Sequence, residues 1–123
     1  MPNIPLQNPK PYNLEERTFL FAQQCRLFVL TLSKTTANIE DGKQLIRSSG
    51  SVAANYIEAN ESISKKDFSL RIKIARKEAK ESRLWLRLSY TDDKIGLANK
   101  KLELMNEATE LGKIFGAILE KTK

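Results

Sequence analysis

The distribution of proline most constrains the fold of this chain. All four prolines lie within the first eleven residues, and the remaining 112 of the 123 residues contain none. Closely spaced prolines prevent helix formation and favour extended backbone, whereas a long proline-free segment permits long helices. We therefore predict two parts, a Pro-rich extended arm over residues 1–12 and a helical domain over residues 13–121.

Capping signals divide the second part into four predicted helices. Asn13 is placed to cap the first helix, and the second is predicted to begin between residues 38 and 41. Ser64, with an acidic residue three positions later, resembles a capping box and predicts a third helix that ends near Tyr90. The polar segment 91–93 then interrupts the pattern, and a fourth helix follows it.

Apolar and small residues spaced by three and four give each predicted helix one inward stripe. The stripes are Leu14, Phe21, Ala22, Cys25, Phe28, Val29 and Leu32 on helix one; Leu45, Ser48, Val52, Tyr56 and Ala59 on helix two; Phe68, Ile72, Ala75, Ala79, Ser82 and Leu86 on helix three; and Leu102, Met105, Ala108, Leu111, Phe115, Ile118 and Leu119 on helix four. Four amphipathic helices with short links predict an all-α fold, an antiparallel up-down-up-down four-helix bundle.

Apolar residues outside the inward stripes predict self-association. Leu30, Ile57 and Leu70 are examples on the first three helices. A bundle core uses one stripe per helix, so a second apolar strip calls for another partner. We therefore expect a homo-oligomer.

The residue types that are missing exclude several classes of function. The chain has one Cys and no His, which excludes an intrachain disulfide, a Cys/His zinc site and catalysis by Ser-His-Asp or Cys-His groups. No apolar run approaches the 18 or so residues of a membrane span, and the N-terminus lacks a signal-peptide pattern. We expect a cytoplasmic protein with no cofactor, no metal and no contact with a membrane. Cys25 lies in the core stripe and is predicted to be buried and inert.

The excess of positive charge lies on one predicted helix. The formal net charge is +6, and residues 64–90 account for all of it. At 100° per residue, six of the basic side chains fall within about 80° of one another beside the core stripe. They are Lys65, Lys73, Arg76, Lys80, Arg83 and Arg87. Two interpretations stay open: a solvated face whose long side chains cover apolar surface, or a surface that follows the phosphates of RNA or DNA.

A line of polar residues on the second helix predicts a structural network. Ser51, Asn55 and Glu58 share one flank, with Arg47 one turn earlier. Asn is a poor residue for a helix interior, and a partly buried carboxylate needs a partner, which Arg47 or Arg76 could supply. An enzymatic interpretation would pair Glu58 with Glu81 as acid and base or as metal ligands. The chain has no Glu-x-x-His motif, so we favour internal bracing of the bundle by this network and no enzymatic activity.

These residues resemble the pattern of a known family. They are small bacterial four-helix-bundle proteins, first noticed as products of intervening sequences in 23S ribosomal RNA genes and often labelled ribosomal proteins. The matching positions are Arg47, Ser51, Asn55, Glu58, Asp67, Phe68, Ala75 and Glu81. The chain departs from the commonest form at Ala59 and at Lys77-Glu78, where many members have glycine or Gly-Ser.

The resemblance covers about residues 12–120, and it implies a left-handed antiparallel bundle. It also implies a ring-shaped homopentamer without established enzymatic activity. The accessory protein of diversity-generating retroelements is similar in fold, and it is a basic pentamer that binds nucleic acid and a reverse transcriptase. We therefore expect self-assembly and binding of nucleic acid through the third helix. The alternative is an interaction scaffold or accessory subunit with no nucleic-acid role.

Overall fold

The computed structural model describes residues 13–123 and folds them into four helices joined by short links. The helices are α1 (Leu14–Thr31), α2 (Thr36–Asn60), α3 (Lys65–Leu88) and α4 (Ile95–Lys121), and this part of the chain contains no strand. The all-α prediction is confirmed. The predicted arm over residues 1–12 lies outside the described residues.

Polar side chains fix where three of the helices begin. The Asn13 side chain accepts a hydrogen bond from the backbone of Glu16, and Ser64 accepts one from Asp67, as the capping signals predicted. The second helix begins before the predicted range of 38–41, because the Thr35 hydroxyl accepts the backbone N–H of Asn38 and caps α2.

Asn38 therefore has another role, which is to join two links of the chain at one end of the bundle. It is buried, and its amide donates to the backbone carbonyls of Ser33 and Tyr90 while accepting from the N–H of Tyr90. These bonds satisfy backbone groups of the α1–α2 link and of the α3–α4 link together. In the second link, Asp92 and Asp93 take positive φ values of 59° and 57°, which reverses the chain direction before α4.

Each helix packs on its sequence neighbours, and α1 also packs on α4. The backbones of the diagonal pairs α1–α3 and α2–α4 stay apart, and across the second diagonal the rings of Tyr56 and Phe115 lie 6.1 Å apart. Contacts between α2 and α3 show that they run antiparallel. Ser48 bonds to Ser82 near one end, and Asn55 bonds to Arg71 nearer the other. The α1–α2 side and the α3–α4 side are therefore opposite faces of the bundle.

The α1–α2 pair approaches closely at two glycines. A Cβ atom at Gly42 would lie 2.9 Å from Cγ1 of Val29, and one at Gly50 would lie 3.1 Å from the Arg26 guanidinium. Real Cβ contacts are rarely this short, so Gly42 is needed for α1 and α2 to pack at this distance.

The predicted stripes form the core, with one error on α4. Leu45, Ile72, Leu111 and Phe115 have no solvent exposure, and most other stripe residues are buried or packed against them. Leu102 was predicted inward but is 57% exposed, and Leu104 is buried in its place. Leu104 shares one helical line with Ala108, Leu111 and Phe115, whereas Leu102 lies well off that line.

Candidate nucleic-acid interface

The six cations predicted to form a stripe on α3 are all exposed. None of them forms an ion pair with a carboxylate of residues 13–123. Residues 1–12 contain no Asp or Glu, so that segment has no carboxylate side chain to offer either. Their positive charge is therefore uncompensated by side chains of the same chain.

Four of the six cations line one groove between α3 and α4. Its volume is about 810 Å³, and Arg76, Lys80, Arg83 and Arg87 stand along its α3 side while Lys113 stands on α4. Glu81 is the one acidic residue of the lining. Lys65 and Lys73 are separate from this groove, and Lys73 lines a smaller hollow at the start of α3. The structure thus divides the predicted stripe into a groove and an outlying pair.

The remaining lining of the groove consists mainly of apolar and small residues. Leu84 contributes from α3, and Ala108, Gly112 and Gly116 contribute from α4, at successive intervals of four residues. A Cβ atom at Gly112 would meet nothing within 4 Å, and one at Gly116 would lie 4.0 Å from Cζ of Arg76. The α4 backbone is therefore left bare beneath the cations. We call this surface, cations and apolar lining together, the basic groove.

The opposite side of α3 holds the polar network, which packs against α2. Arg47 Nη1 donates to Glu78 Oε2 at 2.9 Å, and Arg47 Nη2 lies 3.7 Å from Oε1 of Glu81. Asn55 donates to both oxygens of Ser51, and its own carbonyl oxygen accepts from Arg71 at 3.3 Å. Arg47, Ser51, Asn55 and Glu81 thus make polar contacts along one seam.

Glu58 does not belong to this network, and the prediction that it is partly buried is wrong. It is exposed, and its carboxylate pairs with neither Arg47 nor Arg76. Position 58 shares the flank of α2 that carries Arg47 and Ser51, but it lies one residue before the core residue Ala59 and its side chain stands in solvent. The buried carboxylate is Glu78, and the arginine that reaches Asn55 is Arg71.

The environment of Glu78 explains how a buried carboxylate stays charged. Burial raises its pKa, but the hydrogen bond from Arg47, helped by Ser51 and by the nearby positive charges, outweighs burial and lowers the pKa below its usual value. One sequence signal could have revealed this position. Glu78 lies three residues after Ala75 and four before Ser82, so it borders the core stripe of α3.

A second ion pair, which the sequence interpretation missed, joins α1 to α4. Arg17 donates two hydrogen bonds of 2.8 Å to the two carboxylate oxygens of Glu107. The side chains are only 16% and 8% exposed. The hydrogen bond to Glu107 raises the pKa of Arg17, which stays charged despite its burial. Glu107 lies between the core residues Leu104 and Leu111, and that position was the available signal.

Two further sequence predictions concern chemistry. Cys25 is fully buried, and burial raises the pKa of its thiol to about 12, so the predicted inert cysteine is confirmed. Over residues 13–123 no three Cys, Asp or Glu side chains are grouped so that they could hold a metal ion. None of the helices in the described range combines the length and apolarity that crossing a membrane requires.

The fold and the surface define a four-helix bundle with a cationic groove on one face. The family model for the 23S rRNA-intervening sequence protein matches residues 14–117. The chain belongs to this family, as the resemblance predicted.

A solved structure supports the same assignment. It is the crystal structure of a protein of unknown function from the S23 ribosomal protein family of Bacteroides thetaiotaomicron VPI-5482. The TM-score is 0.73 at 27% sequence identity, and the match covers 86% of this chain and 97% of that one. No curated protein matches the sequence.

Proposed function

We propose that this protein is a self-assembling, non-enzymatic bundle that binds the phosphate backbone of nucleic acid in the basic groove. The observation that carries the proposal is the set of four α3 cations and Lys113 around one groove, without an ion pair inside the described chain. Such side chains are free to neutralise phosphates and to release the counterions that surround a nucleic acid.

The acidic residues of α3 strengthen this argument. The helix contains three acids, of which Glu78 and Glu81 contact Arg47 of α2 and Asp67 lies in the first turn. Glu78 and Glu81 thus have a partner on α2, although Glu81 also borders the groove, whereas the groove cations have no carboxylate partner in residues 13–123. Phosphate contacts of this kind carry no sequence information, so we expect binding that does not depend on sequence.

Self-assembly is supported by the opposite face of the bundle. Phe19 and Leu30 of α1 and Ile39 and Ile57 of α2 are between 44% and 70% exposed. Helical periodicity places the two α1 residues on one line and the two α2 residues on another. We call these four residues the apolar seam and propose that it contacts a second copy, in the pentamer that the family resemblance implies. An apolar face on each subunit is a usual contact surface in symmetric oligomers.

Charge reversal tests the nucleic-acid proposal. We expect the variant Arg76→Glu, Lys80→Glu, Arg83→Glu to bind a labelled single-stranded RNA at least 100-fold more weakly in fluorescence anisotropy. The matched control reverses Lys34, Lys94 and Lys121, three exposed lysines outside α3, and changes the net charge by the same amount. It should retain affinity within about threefold. Equal losses in the two variants would contradict the proposal, and no binding by the wild type would favour the interaction scaffold.

Sedimentation tests the assembly proposal separately. A pentamer of 14.0 kDa chains has a mass of about 70 kDa. We expect Leu30→Glu with Ile57→Glu to reduce the assembly to monomers, because charges would be buried in the contact. The control Lys34→Glu with Glu61→Lys changes exposed residues outside the seam. A wild-type monomer at micromolar concentration, or a double variant that still assembles, would contradict this part.

A further inference from the structure

The apolar lining of the basic groove indicates whether the groove binds single-stranded or duplex nucleic acid. Leu84, which is 45% exposed, lies among the cations, together with the bare backbone at two glycines. A duplex presents phosphates outward and keeps its base faces stacked inside, whereas a single strand exposes base faces as well as phosphates. Of the two forms, the single strand is the one that offers apolar surface to this lining.

The two glycines of the groove have no explanation in the packing of the bundle. Glycine in a helix interior costs about 1 kcal/mol relative to alanine. Gly42 is explained by its contact with Val29, but a Cβ atom at Gly112 would meet no neighbour, and one at Gly116 would meet only the end of Arg76. Both glycines line the basic groove, where the missing side chains let a flat molecule approach the α4 backbone closely.

The dimensions of the groove also favour a single strand. Packed helices have axes about 8–10 Å apart, so the furrow along their junction is narrower than a nucleic-acid duplex and can follow one strand. Arg76 and Arg87 are eleven residues apart, which corresponds to about 16 Å along α3. A fully stacked strand rises about 3.4 Å per nucleotide, and a strand whose bases turn to the groove rises more, so this length holds at most about five nucleotides.

We infer that the basic groove binds a single strand of at most about five nucleotides in preference to a duplex. The phosphates contact the cations of α3 and Lys113, and the base faces pack on Leu84 and on the backbone at Gly112 and Gly116. The groove lining contains no aromatic residue, so the strand is held without strong stacking and without base selection. This inference rests on the proposed function and specifies the ligand of the same site.

Anisotropy with two probes tests the inference. The probes are a labelled 12-nucleotide oligouridine and a 12-base-pair RNA duplex at the same salt concentration. We expect the wild type to bind oligouridine at least tenfold more tightly than the duplex. Gly112→Leu fills open space in the groove and should weaken oligouridine binding at least tenfold, with duplex binding changed less than twofold. The matched control is Gly96→Leu, at an open glycine of the same helix that does not line this groove.

The outcomes separate this inference from the proposed function. Equal or tighter binding of the duplex, or an unchanged oligouridine affinity in Gly112→Leu, would overturn the single-strand inference while the charge-reversal result still stands. A wild type that binds neither probe would refute the proposed function itself. In that case, binding of an acidic amphipathic peptide that is lost in Gly112→Leu would assign the groove to a protein partner instead.

Discussion

The two long sides of α3 both carry charged residues, but only on one side do these residues form ion pairs. On the side that faces α2, Glu78 and Glu81 contact Arg47, and Arg71 reaches Asn55. On the side that borders α4, Arg76, Lys80 and Arg83 have no ion pair within residues 13–123. The paired side joins two helices, whereas the cations of the unpaired side have no carboxylate partner in the described residues.

The number of charges on a helix therefore does not show which of them stabilise the bundle through ion pairs and which remain without a partner. The groove cations have no ion pair within residues 13–123, and repulsion among them works against folding. On the side of α3 that faces α2, the charged residues have partners in neighbouring helices and stabilise the bundle. We therefore expect substitutions on the paired side to change stability without changing binding, and substitutions on the unpaired side to do the reverse.

The largest effect on stability is expected from the most buried ion pair, Arg17 with Glu107, which joins α1 to α4. Glu107→Ala leaves Arg17, only 16% exposed, without its bidentate partner. We expect the free energy of unfolding to fall by about 3–5 kcal/mol, measured by urea denaturation. Lys113→Ala, one turn and a half further along α4 in the basic groove, is the control and should change stability by less than about 0.5 kcal/mol. A loss below about 1 kcal/mol in Glu107→Ala would contradict this assignment.

A smaller loss is expected on the paired side of α3. Glu78→Ala removes the hydrogen bonds from Arg47, which is itself 51% exposed and can return to water. We expect a destabilisation of about 1–3 kcal/mol by the same measurement. Oligouridine affinity should stay within about twofold of the wild type, because Glu78 does not line the basic groove. A binding change as large as that of the groove variants would remove the distinction between the two sides.

Glu78 also gives the stability a predictable pH dependence. Its pKa in the folded protein is lower than the unfolded value of about 4.3, so the unfolded chain takes up its proton more readily. Its contribution to stability is therefore present above about pH 4.3 and is lost as the pH falls through the folded pKa. We expect the urea midpoint of the wild type to decrease between pH 5 and pH 3 more steeply than that of Glu78→Gln. Parallel curves would contradict the role of this carboxylate.

The smallest effects are expected at two glycines, and they have opposite signs. Gly112→Ala adds a Cβ atom in open space and should raise the free energy of unfolding by about 0.5–1 kcal/mol. Gly42→Ala places a Cβ atom 2.9 Å from Val29 and should lower it, because the α1–α2 pair must shift. Thermal melting of both variants tests whether stability rises in Gly112→Ala and falls in Gly42→Ala. A destabilised Gly112→Ala would mean that the bundle, and not a ligand, requires that glycine.

The sequence was sufficient for the helices and for most of the core because apolar spacing and caps are local signals. It failed at Leu102, which was included because it lies three residues before Met105 but faces almost the opposite way from the buried Leu104. The same kind of error placed Glu58 in the polar network and left Glu78 out. A charged residue at the edge of a stripe can face either way, and the rotation of the neighbouring helix decides which.

The candidate site was also only half predictable. The spacing on α3 places the cations on one side of the helix, but Gly112, Gly116 and Lys113 join them only because α4 packs with that rotation. The Arg17–Glu107 pair likewise depends on the register between the first and last helices. Contacts between distant segments of this kind have no local sequence signal.

The salt dependence of oligouridine binding reports on whether the cations of the basic groove contact phosphates. If the five cations of the basic groove contact phosphates, log K plotted against log salt should have a slope of roughly −3 to −3.5 for a single strand. Lys80→Gln should make the slope shallower by about 0.7, whereas Lys43→Gln, at a lysine that pairs with Glu40 on α2, should leave it unchanged. A slope near zero, or equal changes of slope in the two variants, would contradict the binding of phosphates in the basic groove.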